Sequence, residues 1–377
     1  MNLKKKKLYI LFSVIFGICF SLKFISAFFI NFSLNGELNF PSNTAIDHLN
    51  ISHDMTMIFS WLKNSIMNQS IFELGTKLTE IDDKYHHFAS RGIGLYIYGF
   101  FLNFFDQITS ITISYVLFSG LNCYLILKYF ESYKLLTSFF LFCLTILFSS
   151  KVFGGILNPL HYFEYSARIF EAVEENSNSL PIFYTSLTRA PNVLINSIFI
   201  FINFFILKNF FLKEKIISSD FYYIFFLLLF SSFLDPIIFI LFLGIFSLSI
   251  IYKFYLNKIN KKQLTIFIFT FILLSSTIFF HFYNFELAFA DNEKHGVGLD
   301  NFWTGNFIYS IEMFLIPIFL YLFFNPKFKE KYTFELIILI SLFVFWIFFY
   351  YVFNEILASR ITNRNFEILI GAISHLL

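Results

Sequence analysis

The chain alternates long apolar runs with short polar segments along most of its length. A helix needs roughly 20 residues, at about 1.5 Å per residue, to cross the hydrocarbon core of a bilayer. Runs near that length predict membrane spans at residues 8–30, 108–130, 135–153, 193–211, 221–234, 236–255, 264–283, 307–324 and 334–353. The pattern therefore predicts an all-α fold, a polytopic transmembrane helix bundle of about nine spans.

The apolar stretch 221–255 is long enough for one over-long helix or for two short ones. Asp235-Pro236 lies in its middle, and proline removes a backbone donor and clashes with the preceding turn. A break there also returns the lysines of 258–262 to the same side as those of 4–7, as the positive-inside rule requires. We therefore expect two spans.

Two further apolar segments differ from the full spans. Residues 92–105 are apolar but too short to span, which predicts an interfacial or re-entrant helix. The N-terminal run 8–30 follows four lysines, as in a signal peptide, but it is too long and lacks a small-residue cleavage site. We expect it to remain as the first span.

Composition supports the membrane class. The 377 residues are 57% hydrophobic and 14% charged, with a mean hydropathy of +0.70, whereas about a quarter of a soluble domain is charged. The three cysteines fall inside apolar runs, so no disulfide framework or thiolate metal site is predicted. We expect one integral membrane domain over 1–377, with membrane lipid around it and no nucleic-acid partner.

Charge patterning orients the spans. Lysine dominates the short loops predicted to be cytoplasmic, which places the N-terminus in the cytoplasm. The long extracytoplasmic segments are then 31–107, expected to carry amphipathic helices, 154–192, 284–306 and a tail from Asn354. All the histidines and arginines fall on that outer side; the arginines are Arg91, Arg168, Arg189, Arg360 and Arg364. Abundant Phe, Ile, Asn and Lys indicate an AT-rich, bacterial coding sequence, so we expect a bacterial cytoplasmic (inner) membrane. The outer position of the arginines and histidines predicts that the active face is extracytoplasmic.

The first outer segment contains two candidate catalytic carboxylates. Asp47 and Asp54 are seven residues apart in a stretch whose apolar residues recur near helical spacing, so a continuous helix puts them on one face. Such a pair supplies a general base or part of a divalent-metal site. A solvated polar face is the alternative.

A second acidic cluster follows in the same segment. Asp82 with His86, and Asp83 with His87, form two i,i+4 pairs. Pairs of this kind hold a divalent metal, or they simply decorate the surface of a helix. No cofactor beyond such a metal is indicated.

The outer arginines are candidate phosphate ligands. Arginine presents a planar fork of donors that matches phosphate oxygens, whereas lysine is a compact point charge. Arg189, just before the fourth span, is the strongest candidate, and Arg91, Arg360 and Arg364 are candidates to join it. Arg168 is four residues after Glu164 and is more simply a helical ion pair.

Charges within the predicted spans are shallow. Lys23 and Glu312 lie about 10 Å from outer helix ends, and Asp106 and Asp235 lie at such ends. Ion-coupled transporters place charges or broken helices near the midplane, so this profile favours chemistry at the outer headgroup level.

With these features the chain resembles the polyprenyl-phosphate-dependent membrane glycosyltransferases of GT-C architecture. The resemblance rests on the cytoplasmic N-terminus, the long first outer loop with acidic residues, and the later outer loops with basic residues. It implies Asp54 or Asp47 as base and Arg189 as phosphate contact, with an isoprenoid-phosphate-linked sugar as donor and an extracytoplasmic glycan or lipid as acceptor. The family's paired Asp-Glu is absent, and Asp82-Asp83 is its nearest counterpart.

Other functions fit the same pattern. An O-antigen or capsule polymerase acts on lipid-diphosphate glycans with outer arginines and often without metal. A non-enzymatic lipid-linked glycan translocase or a transporter belongs to another class, and so does a structural membrane subunit. Enzyme activity as a hexosyltransferase-like glycosyltransferase is the first expectation.

Overall fold

The computed structural model of the chain describes residues 3–35, 97, 100–105, 107–148, 191–234, 236–256, 258–289, 326–352 and 367–376. These residues are helical apart from short turns, and they include no strand. The helices are α1 (Leu3–Asn35), α2 (Gln107–Tyr129), α3 (Leu135–Phe148), α4 (Pro191–Leu212), α5 (Ser218–Leu234), α6 (Pro236–Tyr255), α7 (Lys261–Phe289), α8 (Pro326–Val352) and α9 (Glu367–Leu376). A short 3-10 helix, Phe100–Asn103, precedes α2.

The all-α prediction is confirmed for the described part of the chain. A helix overlaps every predicted span except 307–324, which lies outside the described residues. Within the described ranges, two helical segments are long and apolar enough to cross a membrane, namely Leu194–Leu212 and Ile238–Tyr255, with mean hydropathies of 1.8 and 2.0. The complete nine-span bundle stays a prediction.

The predicted break at Asp235-Pro236 is confirmed. Helix α5 ends at Leu234 and α6 begins at Pro236. The rings of Phe221, near the start of α5, and Phe246, in the second half of α6, lie 6.3 Å apart between centroids. Residues so far from the break meet only if the chain folds back on itself, so α5 and α6 form a hairpin.

The chain divides into two compact units. The first contains Met1–Ile71, Leu95–Ile198 and Glu367–Leu376, and the second contains Phe72–Gly94, Phe199–Phe366 and Leu377. Helix α4 contributes to both, because the division falls after Ile198. The prediction of one integral membrane domain stays a prediction.

In the first unit, α1 and α2 pack closely through small residues. A Cβ added to Gly17 would overlap the Val116 carbonyl oxygen, and one added to Gly120 would lie 3.0 Å from the Ser13 carbonyl oxygen. Small residues at such spacing let two helix backbones approach, as in many membrane helix pairs. The helices are antiparallel, since the Lys5 ammonium donates to the Glu131 carbonyl, beyond the end of α2, at 2.8 Å.

The other face of α1 packs on α3 through aromatic rings. Phe12 lies 4.7 Å from Phe139 and 5.6 Å from Phe142, centroid to centroid. Helix α9 also contacts α3, and its residues 368–373 are buried. The predicted outer tail therefore contains a helix that packs within the first unit, because its isoleucine and leucine side chains are buried there.

In the second unit, α4, α5 and α6 alternate in direction. Phe210 of α4 lies 5.8 Å from Phe221, and Phe199 lies 5.6 Å from Phe230. A later residue of α4 thus meets an earlier residue of α5, so the two helices are antiparallel. Helix α8 is interrupted at Tyr332 (φ −114°, ψ 16°), just before residue 334, where the apolar pattern predicts a span to begin.

Candidate functional site

The residues predicted to carry chemistry lie outside the described part of the chain, and their roles stay predictions. They are Asp47, Asp54, Asp82, Asp83, His86, His87, Arg91, Arg189, Arg360 and Arg364. Within the described ranges, no group of three or more His, Cys, Asp or Glu residues could hold a metal ion. The predicted metal cluster falls outside those ranges.

The described residues contain a buried ion pair in the second unit. The Lys208 ammonium of α4 donates to Oε1 of Glu335 in α8. The Glu335 side chain is fully buried, whereas the Lys208 side chain is 25% exposed. The pair joins two helices that are far apart in the sequence, and its two charges differ in their access to the exterior.

Aromatic rings surround this pair. Nζ of Lys208 lies 5.6 Å from the ring centroid of Phe204, and that ring lies 5.6 Å from the ring of Phe334. Phe211 also contacts Phe334, at 5.4 Å. Surroundings of this kind have a low local dielectric, which strengthens the attraction between the charges and makes an unpaired charge costly.

One oxygen of this carboxylate lacks a partner. Oε2 of Glu335 is buried and accepts no hydrogen bond from any residue that the structure describes. Buried polar atoms are nearly always satisfied, so such an oxygen indicates strain, an ion, a water or a proton at that position. The complete burial of Glu335 excludes direct contact with a bulky sugar acceptor, and so does not favour a role as its general base.

Local helix geometry favours the charge of Glu335. Glu335 follows the interruption at Tyr332 by three residues, in the first turn of the segment that continues α8. Carboxylates are favoured near helix N-termini, so the backbone stabilises the charge of Glu335. Lys208 lies before the last turn of α4 and gains no such support.

A second charged cluster closes the lysine-rich end of the second unit. The Lys213 ammonium lies 2.6 Å from Oδ1 of Asp220, and Oδ2 of Asp220 accepts from the backbone N–H of Ile217 at 3.1 Å. Lys253, which is 2% exposed, donates to the Lys213 carbonyl beyond the end of α4. These contacts cap helix ends, so these two lysines have structural roles besides setting topology.

A neutral polar network joins α2 to the start of α4 in the first unit. The Asn122 amide donates to the carbonyl of Phe118 at 3.0 Å and to that of Leu194 at 2.9 Å. Its carbonyl oxygen accepts from the Ser197 hydroxyl. Asn122 is fully buried and both ends of its side chain are bonded, which indicates helix association rather than a reactive site.

The charge pattern of the predicted spans did not predict the Lys208–Glu335 pair. The shallow charges named from the sequence lie at or near outer helix ends, whereas Lys208 and Glu335 lie at the predicted inner ends of their spans. Both residues nevertheless fall inside the predicted spans 193–211 and 334–353. A charge inside an apolar run was the available signal, and its partner could not be read from the sequence because 127 positions separate the two residues.

Comparison with protein-family models, with curated proteins and with solved structures found no match to this chain.

Proposed function

We propose that the chain is a multi-pass protein of a bacterial cytoplasmic membrane. Besides the two helices long enough to span, the exposed surface of α7 supports this proposal. Ile268, Phe269, Ile272 and Leu273 are 49%, 64%, 60% and 43% exposed and form one apolar face. A contiguous apolar surface of this kind is stable against hydrocarbon and unfavourable in water.

The ends of the helices support a cytoplasmic N-terminus. In the first unit, the Lys5 contacts bring the start of α1 to the end of α2. This arrangement is expected of two antiparallel spans whose lysines lie on one side of the membrane. In the second unit, the α5–α6 hairpin brings Lys253 back to Lys213. Both arrangements agree with the positive-inside rule.

We infer that the activity is that of a membrane glycosyltransferase. The observation that carries this proposal is the separation of basic residue types: every arginine lies in the predicted outer segments, opposite the lysine-rich loops. Arg189, with Arg91, Arg360 and Arg364, would hold the phosphate of an isoprenoid-phosphate-linked sugar. The acceptor is an extracytoplasmic glycan or lipid.

The reaction assigns one role to each group. Asp54 or Asp47 takes the proton of the acceptor hydroxyl as its oxygen forms the bond to the anomeric carbon. The bond between that carbon and the phosphate oxygen breaks at the same time, and the isoprenoid phosphate leaves with the electron pair. Arginine stabilises the charge that develops on it. In the metal-dependent form of this proposal, a divalent metal is held by Asp82, Asp83, His86 and His87.

A transport function is the second candidate, and Glu335 is the observation that favours it. Membrane-embedded carboxylates are uncommon and often mark the path of a proton or a substrate. A buried carboxylate with one unpartnered oxygen suits a lipid-linked glycan translocase better than it suits a transferase. An O-antigen or capsule polymerase remains the nearest enzymatic alternative.

Alanine substitution tests the transferase. Asp54→Ala and Arg189→Ala should abolish glycan extension in cells at unchanged membrane levels of the protein. Arg168→Ala is the matched control, because Arg168 is expected only to pair with Glu164, and glycans should stay normal. Normal glycans in both the Asp54 and Arg189 variants would refute the assignment.

Two biochemical measurements separate the alternatives. Activity that survives removal of divalent cations by a chelator favours the polymerase. For the translocase, purified protein in vesicles should move a labelled isoprenoid-linked glycan across the bilayer without consuming it, and Glu335→Gln should slow that movement. Turnover without translocation favours the transferase.

A further inference from the structure

The second unit presents a set of exposed lysines at one end. Two short connections meet there, residues 213–217 between α4 and α5 and residues 256–260 between α6 and α7. Together with the start of α7 they carry the exposed side chains of Lys215, Lys258, Lys261 and Lys262. We name these four lysines the basic loop surface.

Hydrogen bonds hold the two connections together. The Gln263 side-chain amide, in the first turn of α7, donates to the Ile216 carbonyl of the first connection. Gln263 and Asn260 also bond each other reciprocally, with Asn260 N to Gln263 Oε1 at 3.0 Å and Gln263 N to Asn260 Oδ1 at 2.9 Å. This capping box fixes the start of α7, so the four lysines project from a defined surface.

Buried isoleucines anchor each connection from below. Ile216 and Ile259 are both 5% exposed, and each directly follows a lysine of the surface in the sequence. An inward isoleucine next to an outward lysine is the arrangement expected where a loop rests on an apolar core. The surface lysines are therefore free to meet a partner without disturbing that core.

Local acids leave this surface with a net positive charge. The Asp220 carboxylate is engaged by Lys213 and is buried. Glu214 is the acid within the two connections, and it is exposed. Four exposed lysines thus face one exposed carboxylate, so the surface attracts anions.

Exposed aromatic residues border the lysines. Tyr222 and Tyr223, near the start of α5, are 57% and 73% exposed, and Tyr255, the last residue of α6, is 81% exposed. Tyrosine is enriched where a membrane protein crosses from hydrocarbon to headgroups, because its ring prefers the former and its hydroxyl the latter. The neighbouring lysines then lie at the level of lipid phosphates.

We propose that the basic loop surface binds the phosphate headgroups of anionic phospholipids in the surrounding leaflet. The adjoining tyrosines favour lipid as the partner. A membrane interface accounts for the exposed tyrosines and for the apolar helix faces next to them, whereas an acidic soluble protein accounts for the lysines only. Each lysine near an anionic membrane strengthens association roughly fivefold. This inference concerns loops predicted to be cytoplasmic and does not depend on the proposed glycosyl-transfer chemistry.

A local quenching measurement tests the proposal. The full chain, with its native cysteines replaced by serine and one cysteine at exposed Ser219, carries a fluorophore beside the surface. In phosphatidylcholine vesicles, spin-labelled phosphatidylglycerol should quench it about fivefold more effectively than spin-labelled phosphatidylcholine. Replacing the four lysines by glutamine should make the two spin-labelled lipids quench almost equally. Replacing the lysines by arginine should keep the stronger quenching by phosphatidylglycerol.

A variant of equal charge in the first unit is the control. Lys4, Lys6, Lys7 and Lys134 are also exposed, and their replacement by glutamine should leave quenching at Ser219 unchanged. The proposal fails if the preference survives in the glutamine variant of the surface, or if this control loses it equally. It also fails if inorganic phosphate at constant ionic strength abolishes the preference, which would indicate a soluble anion instead.

Discussion

Lys208 and Glu335 form an ion pair between α4 and α8 in which the carboxylate is fully buried and the ammonium side chain is one-quarter exposed. The buried carboxylate therefore depends on its partner more than the partly exposed ammonium does. If Glu335 is removed, the Lys208 ammonium still has access to the exterior. If Lys208 is removed, the carboxylate stays enclosed among aromatic rings.

This inequality predicts different losses of stability for the two single substitutions. Lys208→Met should lower the free energy of unfolding by about 3–5 kcal/mol, the cost typical of an uncompensated buried charge. Glu335→Gln should cost clearly less, and the double variant Lys208→Met, Glu335→Leu should recover much of the loss. Thermal unfolding of the purified chain in detergent measures all three, and equal losses in the single variants would contradict the described burial.

The contact of Gly17 with the backbone of α2 predicts a second effect. In Gly17→Ala the new methyl group would overlap the Val116 carbonyl oxygen, so the helices must separate, at a cost of about 1–3 kcal/mol. In Gly244→Ala the methyl group would lie 3.2 Å from Cε2 of the Phe345 side chain, which can tilt. That control gains about 0.5–1 kcal/mol of helix propensity and should unfold near the wild-type temperature. A Gly17→Ala variant as stable as the Gly244→Ala variant would exclude the close crossing.

The buried network of Asn122 and Ser197 predicts an energetic coupling between α2 and α4. Hydrogen bonds between membrane helices contribute about 0.6 kcal/mol on average and about 1.7 kcal/mol at most. A double-mutant cycle with Asn122→Ala and Ser197→Ala should give a coupling in that range. Ser247→Ala is the control, because the Ser247 hydroxyl donates to Leu243 within its own helix, and its coupling to Asn122→Ala should be near zero.

The hairpin topology predicts which residues face each side of the membrane. A cysteine at Lys258 should react with an impermeant thiol reagent only from the cytoplasmic side, and one at Asp54 only from the outside. The background lacks the native thiols Cys19, Cys123 and Cys143, which are free. Labelling of intact cells and of inverted vesicles measures the sidedness, and reaction of both sites from one side would refute the topology.

Local properties of the sequence determined the helices and the break between α5 and α6. An apolar run of membrane length must satisfy its own backbone hydrogen bonds, and it does so as a helix wherever the run lies. Proline acts on the turn before it, so Pro236 marked the start of a helix without reference to any other segment. Composition alone likewise favoured a membrane protein over an ordinary soluble one.

The tertiary structure decided which of these segments meet. The sequence around Lys208 does not predict its contact with Glu335, and the sequence around Gly17 does not predict its contact with Val116. Each contact depends on the direction and crossing of whole helices. The burial of α9 against α3 was undecided for the same reason, since a short apolar segment can pack in many places. The assignment of the catalytic residues rests on the sequence alone, because these residues lie outside the described part of the chain. Their convergence on one site requires contacts between distant parts of the chain, which the sequence does not determine.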